Sequence, residues 1–277
     1  MHDSLTGYIQ EAGLEIQAEG TVVFPGWVKR IKIDVGLSYS ASNSIEWIRE
    51  DPNLMVFGFE PHKESCEALR KLISKQGDSE ALERQLVILP VALGSYVGTA
   101  QLHVTADDSA SSSLLAPKRM AQLKSVTVPV FTLVDLLQSI PWNRFARIDY
   151  LKLDCQGLDL EILKSTGREW IKKIAIVTAE PEDEQYKNST NGIRALKEFM
   201  KSSDFIYFNA RSAIRVFLGR LLAKLTIVRA LKIRLPVSRA REVASDRASL
   251  VVDDPTFINR SFLNEVMAGE ITGFQKG

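Results

Sequence analysis

Ile31-Lys32-Ile33-Asp34-Val35-Gly36 is the stretch on which the fold turns. Ile31, Ile33 and Val35 alternate with Lys32 and Asp34, the period of a β-strand. A helical pattern follows over residues 44–49, so the pair reads as a strand-then-helix unit. Gly36 sits where the strand ends, and a residue without Cβ lets backbone approach a ligand closely. In an open parallel sheet, ligands bind beyond the carboxyl ends of the strands, where Asp34 and Gly36 fall.

The same alternation runs outward from this unit. Strands are expected at 54–59, 85–93, 149–154 and 173–179, with helices at 63–74, 158–165 and 191–201. Two further strands, 99–105 and 126–131, alternate in polarity, and a short helix is expected at 133–138. Residues 205–208 and 248–252 are expected to pair as a closing antiparallel hairpin. The pattern describes an α/β protein with a mostly parallel sheet: an N-terminal extension at 1–30 and one domain at 31–277. That domain contains a polar loop at 107–120 and a basic insertion at 211–247.

The insertion is the one sharp shift in composition. It holds ten basic residues against two acids, a local charge of +8 that leaves −7 for the rest of a chain of net charge +1. Apolar residues such as Ile214, Leu218, Leu221 and Leu225 fall at helical spacing between the charges. An amphipathic helical cap over the sheet is the expected reading, ahead of docking on an anionic membrane or glycolipid surface. Phe217 is the lone aromatic there, too few for stacking on bases, so no nucleic-acid partner is expected.

The chain of 277 residues is 45% hydrophobic and 25% charged, the composition of an ordinary globular protein. Its N-terminus carries acids and lacks the apolar core of a signal peptide, and no run of about 18 apolar residues exists to span a membrane. A cytoplasmic enzyme is therefore expected, with its inner-membrane contact, if any, made through 211–247. Cys66 and Cys155 form no CxxC pair, and His2, His62 and His103 are scattered, so neither a disulfide framework nor a metal centre is expected.

Three acids stand at strand ends. Asp34 closes the first strand; Glu60 closes the second, in Phe57-Gly58-Phe59-Glu60-Pro61, where a carboxylate suits the two hydroxyls of a ribose. Asp154 follows a buried strand in Tyr150-Leu151-Lys152-Leu153-Asp154-Cys155-Gln156-Gly157, with Leu158-Asp159 behind it. A nicotinamide-dependent oxidoreductase would need a G-x-G-x-x-G turn after the first strand, but this chain has Gly36-Leu37-Ser38-Tyr39-Ser40-Ala41.

Taken in order, Asp34-Val35-Gly36, Phe59-Glu60-Pro61, Val91-Ala92-Leu93-Gly94 and residues 151–159 resemble the FkbM family of methyltransferases. Ser111-Ser112-Ser113-Leu114 and the VPVFTLVDLL segment at 128–137 support the likeness. The resemblance implies a Rossmann-like class I methyltransferase fold, with a mostly parallel seven-stranded sheet, helices on both faces and an antiparallel C-terminal hairpin. It implies S-adenosylmethionine as cofactor and O-methylation of a hydroxyl on a sugar, glycan or related small molecule. By position it assigns Asp34, Gly36 and Ser38 to the methionine side of the cofactor, and Glu60, followed by Pro61, to the ribose. Val91 and Ala92 go to the adenine, and Asp154 to the reacting end.

Transfer to a hydroxyl benefits from a nearby base, and Asp154, Glu180 and His62 are the candidates, Asp154 first. Ser112, Ser113, Lys152 and Gln156 are candidate contacts for a polyhydroxyl acceptor, and no metal is expected. The chain departs from the family at two places: Ser38 and Ser40 stand where an Asn and a further Gly are usual, and Gln156 where Glu is usual. Those departures motivate the alternative of a non-catalytic cofactor-binding or scaffold protein.

Overall fold

A computed structural model describes residues 2–105, 111–118, 120–208 and 255–268 of the chain. The expected insertion at 211–247, the strand expected at 248–252 and part of the loop at 107–120 lie outside those residues. Near the N-terminus, α1 (Leu5–Glu11) leads into a hairpin of β1 (Glu15–Ile16) and β2 (Val22–Val23). Leu5, Tyr8, Ile9, Val22, Phe24 and Val28 pack into the same core as the central strands. The Arg144 guanidinium fastens this region by donating to the Phe24, Pro25 and Val28 carbonyls.

The chain then builds β3 (Arg30–Val35), α2 (Ser42–Glu50), β4 (Leu54–Phe59), α3 (Lys63–Ile73), α4 (Ser79–Gln85) and β5 (Leu86–Leu89). Every residue of β4 and β5 is buried, as expected of parallel strands covered on both faces. After β6 (Ala92–Leu93), β7 (Gly98–Thr105), β8 (Gln122–Phe131) and α5 (Leu133–Ser139), the main sheet resumes with β9 (Tyr150–Leu153). It continues through α6 (Asp159–Ile171), β10 (Ile176–Ala179), α7 (Ile193–Ser202), β11 (Phe205–Phe208) and β12 (Thr256–Asn259), and a helix at Arg260–Ala268 follows.

Seven strands form the main sheet in the order β11-β12-β10-β9-β3-β4-β5. Pairings from β10 through β5 are parallel, and β12 runs antiparallel to both β10 and β11. This is the mostly parallel, Rossmann-like α/β sheet with an antiparallel close that the sequence predicts. The order reverses at β3, which has β4 on one side and β9 on the other, so connections leave its carboxyl end in opposite directions. A crevice opens at such a point.

Two details differ from the sequence reading. The strand expected at 85–93 splits at Pro90: Leu86–Leu89 stays in the main sheet, while Ala92–Leu93 joins a second sheet, β6-β8-β7. A proline has no N–H to give a central ladder, so the chain leaves the sheet there. Phe205–Phe208 pairs with Thr256–Asn259, with Phe205 opposite Asn259 and Phe208 opposite Thr256, while residues 248–252, the partner the sequence suggests, lie outside the described residues. Thr256, Phe257 and Ile258 are strong strand formers, and Phe257 and Ile258 are almost wholly buried. Among the described residues no helix is long and apolar enough to cross a membrane.

Candidate functional site

Where β3, β4, β5 and β9 end, their loops enclose a cleft of about 650 Å³ of empty space, open to solvent. Gly36 and Ser38 enter it after β3, Glu60 and Pro61 after β4, Val91 and Ala92 after β5, and Asp154 and Cys155 after β9. The second sheet supplies the roof: Leu102 of β7 and the segment Ser112-Ser113-Leu114, held to β7 by backbone bonds between Ser113 and His103.

The loop after β3 is shaped by left-handed backbone. Gly36 has φ 84°, and a Cβ there would run into the Asp154 carbonyl oxygen. Ser38 also takes a positive φ, 55°, which turns its N–H onto Glu60 Oε2 at 2.7 Å. Glu60 Oε1 accepts from the His62 N–H at 2.9 Å. Glu60 thus joins the ends of β3 and β4. Burial pushes its carboxyl up to about 7, against the opposing pull of those two N–H donors.

A polar chain runs beneath and beside the cleft. Asp34, 1% exposed, accepts from Ser44 Oγ at 2.7 Å, and its Oδ1 faces Lys152 Nζ at 3.5 Å. Burial raises the Asp34 carboxyl; the Lys152 charge and the Ser44 hydroxyl oppose it. Lys152 Nζ also donates to Asp154 Oδ2 at 3.1 Å. Burial alone would lower the Lys152 pKa, but the Asp34 and Asp154 carboxylates outweigh it and hold the ammonium charged. For Asp154, burial is outweighed by Lys152 and by hydrogen bonds to Glu180 and Gln156, which hold its carboxyl below the usual range.

Gln156 sets the far side of this chain. Its φ of 51° turns the side chain so that Nε2 donates to Asp154 Oδ1 at 2.7 Å and Glu180 Oε2 at 3.1 Å. Its Oε1 accepts from the hydroxyl of Tyr186, a wholly buried residue, at 2.8 Å. Asp159 is a brace under the turn, taking the N–H of Cys155 at 2.9 Å and of Glu180 at 2.7 Å. Asn191, just before α7, braces the same turn, accepting from the Leu160 N–H and donating to the Glu180 carbonyl.

The sequence-derived candidates therefore divide by place. Gly36, Ser38, Glu60, Pro61, Val91, Ala92, Ser112, Ser113 and Asp154 share the cleft wall. Asp34 lies beneath the wall, not on it, because Ser44 and Lys152 hold it inward. Lys152, Gln156 and Glu180 stand behind Asp154. His62 is turned away: its Nδ1 lies 2.9 Å from Ser65 Oγ and its Nε2 2.9 Å from Glu64 Oε2. Ser44, Tyr186 and Asn191 were not singled out by sequence reading, since each earns its role through a contact 10 to 31 residues away. Among the described residues no group of three metal-ligating side chains occurs.

The family model for the methyltransferase FkbM domain matches residues 33–207. Among solved structures the chain is similar to an FkbM methyltransferase from Methylobacillus flagellatus KT, at 15% identity and a TM-score of 0.39, over 67% of this chain and 40% of that one. It is also similar to precorrin-6y C5,15-methyltransferase from Geobacter metallireducens GS-15, at 11% identity and a TM-score of 0.36, over 73% of this chain and 70% of that one. The chain thus spans about two-fifths of the length of the first of these. No curated protein matches it.

Proposed function

The chain belongs to the FkbM methyltransferase family, and from that premise we propose that it moves a methyl group from S-adenosylmethionine to a hydroxyl oxygen of a sugar, glycan or related small molecule. The observation that carries this reading is the meeting of Gly36, Glu60, Val91 and Asp154, each from a different strand end, on the wall of one cleft.

The residues present fit such a cofactor. Gly36 leaves backbone bare beside the Asp154 carbonyl, where any side chain would fill the space. Glu60 spends one lone pair of each oxygen on a backbone N–H and keeps others for ribose hydroxyls. Val91 and Ala92 offer an apolar slot for the base. When bound, the cofactor supplies an electrophilic methyl group; the chain supplies alignment and electrostatics. Asp154, on the wall and ionised at neutral pH, orients the acceptor hydroxyl and takes its proton on a carboxylate oxygen. Lys152 and Gln156 fix the direction of that carboxylate.

Isothermal titration with S-adenosylmethionine, followed by transfer of a labelled methyl group to a panel of sugars and polyols, tests the proposal. Saturable micromolar binding with label on an acceptor oxygen is expected. No binding at millimolar ligand would sink it. One observation favours a non-catalytic role instead: the Asp154 carboxyl is already bonded to Lys152 and Gln156 and held low, which makes it a weak base. Tight cofactor binding without transfer to any acceptor is the result that role predicts.

A further inference from the structure

The three serines of the cleft roof are not equivalent. Ser113 Oγ is committed twice, donating to the Gln156 carbonyl at 2.8 Å and accepting from the Leu115 N–H at 3.0 Å. Ser111 contributes its carbonyl to the Tyr186 hydroxyl at 2.7 Å. The first contact pins the roof to the turn after β9, the second to the segment between β10 and α7. Ser112 Oγ, between them, is buried and has no hydrogen-bond partner. Burying a hydroxyl without a partner is costly, and this one lines the cleft, where a ligand would supply the missing partner.

The surroundings select the part of the ligand. Leu114, two residues on, packs against the cluster that contains Ala92 and Leu102, so the roof descends on the apolar end of the cleft. Val91, Ala92, Leu93, Leu102 and Leu114 line that end, and none has a polar side chain. A flat aromatic base fits between such walls, with hydrogen-bonding capacity only at its edge. With the ribose held at Glu60, the edge of an adenine remote from the sugar carries the exocyclic amino group.

We propose that the Ser112 hydroxyl is the specificity-determining contact for the adenine ring, accepting a hydrogen bond from its 6-amino group. This moves Ser112 from the acceptor side, where sequence reading put it, to the cofactor, and it rests on the cofactor reading given above. A hydroxyl that a bound base completes rejects a base lacking the matching group, because the hydroxyl is then left buried and unpaired.

The test uses the full chain and two ligands, S-adenosylhomocysteine and its analogue whose purine lacks the 6-amino group. Wild type is expected to prefer the adenine ligand by about 5- to 10-fold, the worth of one ordinary hydrogen bond. Ser112→Ala should bring that preference to near unity while leaving the affinity for the analogue within about twofold, since that ligand offers the hydroxyl no amino partner. A preference that survives in Ser112→Ala overturns the assignment. So does equal weakening of both ligands, which marks a structural role. Failure of wild type to bind S-adenosylhomocysteine at all would instead overturn the cofactor reading itself.

Discussion

Glu60 concentrates the physics of the cleft in one residue. It is 8% exposed, it joins two loops through backbone N–H groups, and burial raises its carboxyl to about 7. Ribose hydroxyls donate to the ionised form, so adenosyl-ligand affinity is expected to rise with pH through about 7 and level off above it. Well below that point it should fall roughly 10-fold per pH unit, and Glu60→Gln should flatten the profile while costing about 1–3 kcal/mol at pH 8. Titration calorimetry between pH 5.5 and 8.5 reads both effects, and a flat wild-type profile would refute the ribose assignment. Gly36 makes a complementary case. Its φ of 84° and the Asp154 carbonyl beside it exclude a Cβ, so Gly36→Ala is expected to cost at least about 1–3 kcal/mol of stability. Denaturant unfolding checks this, and a loss under about 0.5 kcal/mol would show that the loop relaxes freely.

At the scale of elements, the roof and floor of the cleft are held by different means. The floor is the set of strand ends, fixed by ladder bonds. The roof depends on side chains: Ser113 onto the Gln156 carbonyl and Tyr186 onto the Ser111 carbonyl. The short helix α5, which follows the roof sheet, is set by a capping box in which Thr132 Oγ1 accepts from the Asp135 N–H and Asp135 Oδ2 accepts from the Thr132 N–H. Seven residues make a helix too short to persist without its cap and its packing against the core. Thr132→Ala is expected to lower global stability by about 1 kcal/mol. The same variant should leave ligand affinity per folded molecule unchanged, because α5 lines no part of the cleft wall.

For the whole molecule, buried carboxyls set the response to pH. Burial raises Glu60 to about 7, Asp159 to about 7 and Asp149 to about 6. An acid whose folded pKa lies above its unfolded value stabilises the fold below the unfolded pKa, and that stability is lost as pH rises through the folded pKa. All three groups lose it between about pH 4 and 7. Asp34, which burial also raises, adds to the acids, while His62, which burial holds below its ordinary value, pulls the other way, as does Lys32, lowered to about 8, near the top of the range. The unliganded protein is therefore expected to unfold at a higher denaturant midpoint at pH 5.5 than at pH 8. A higher midpoint at pH 8 would show that these acids relax on ionisation. Bound cofactor should narrow the difference if it engages ionised Glu60.

Much of this was legible in the chain itself. Alternating Ile31, Ile33 and Val35, the uniformly buried 54–59 run and the helices between them had one stable solution, because apolar strands of that length need helices on both faces. The strand-end acids were legible too, since carboxylates this rare in apolar surroundings advertise a site. Tertiary structure decided the rest. It split residues 85–93 at Pro90 and gave Phe205–Phe208 the partner Thr256–Asn259, across more than 40 residues of chain whose length no local pattern measures. It put Asp34 under the cleft and Glu60 in it, although both end strands in the same way, because Ser44 and Lys152 reach only the first. It committed the Ser113 hydroxyl to the Gln156 carbonyl and left the Ser112 hydroxyl buried in the cleft wall without a partner. A sequence names the groups that can bond; which of them already have, and which face a ligand unpaired, depends on distances that exist only once the chain has folded.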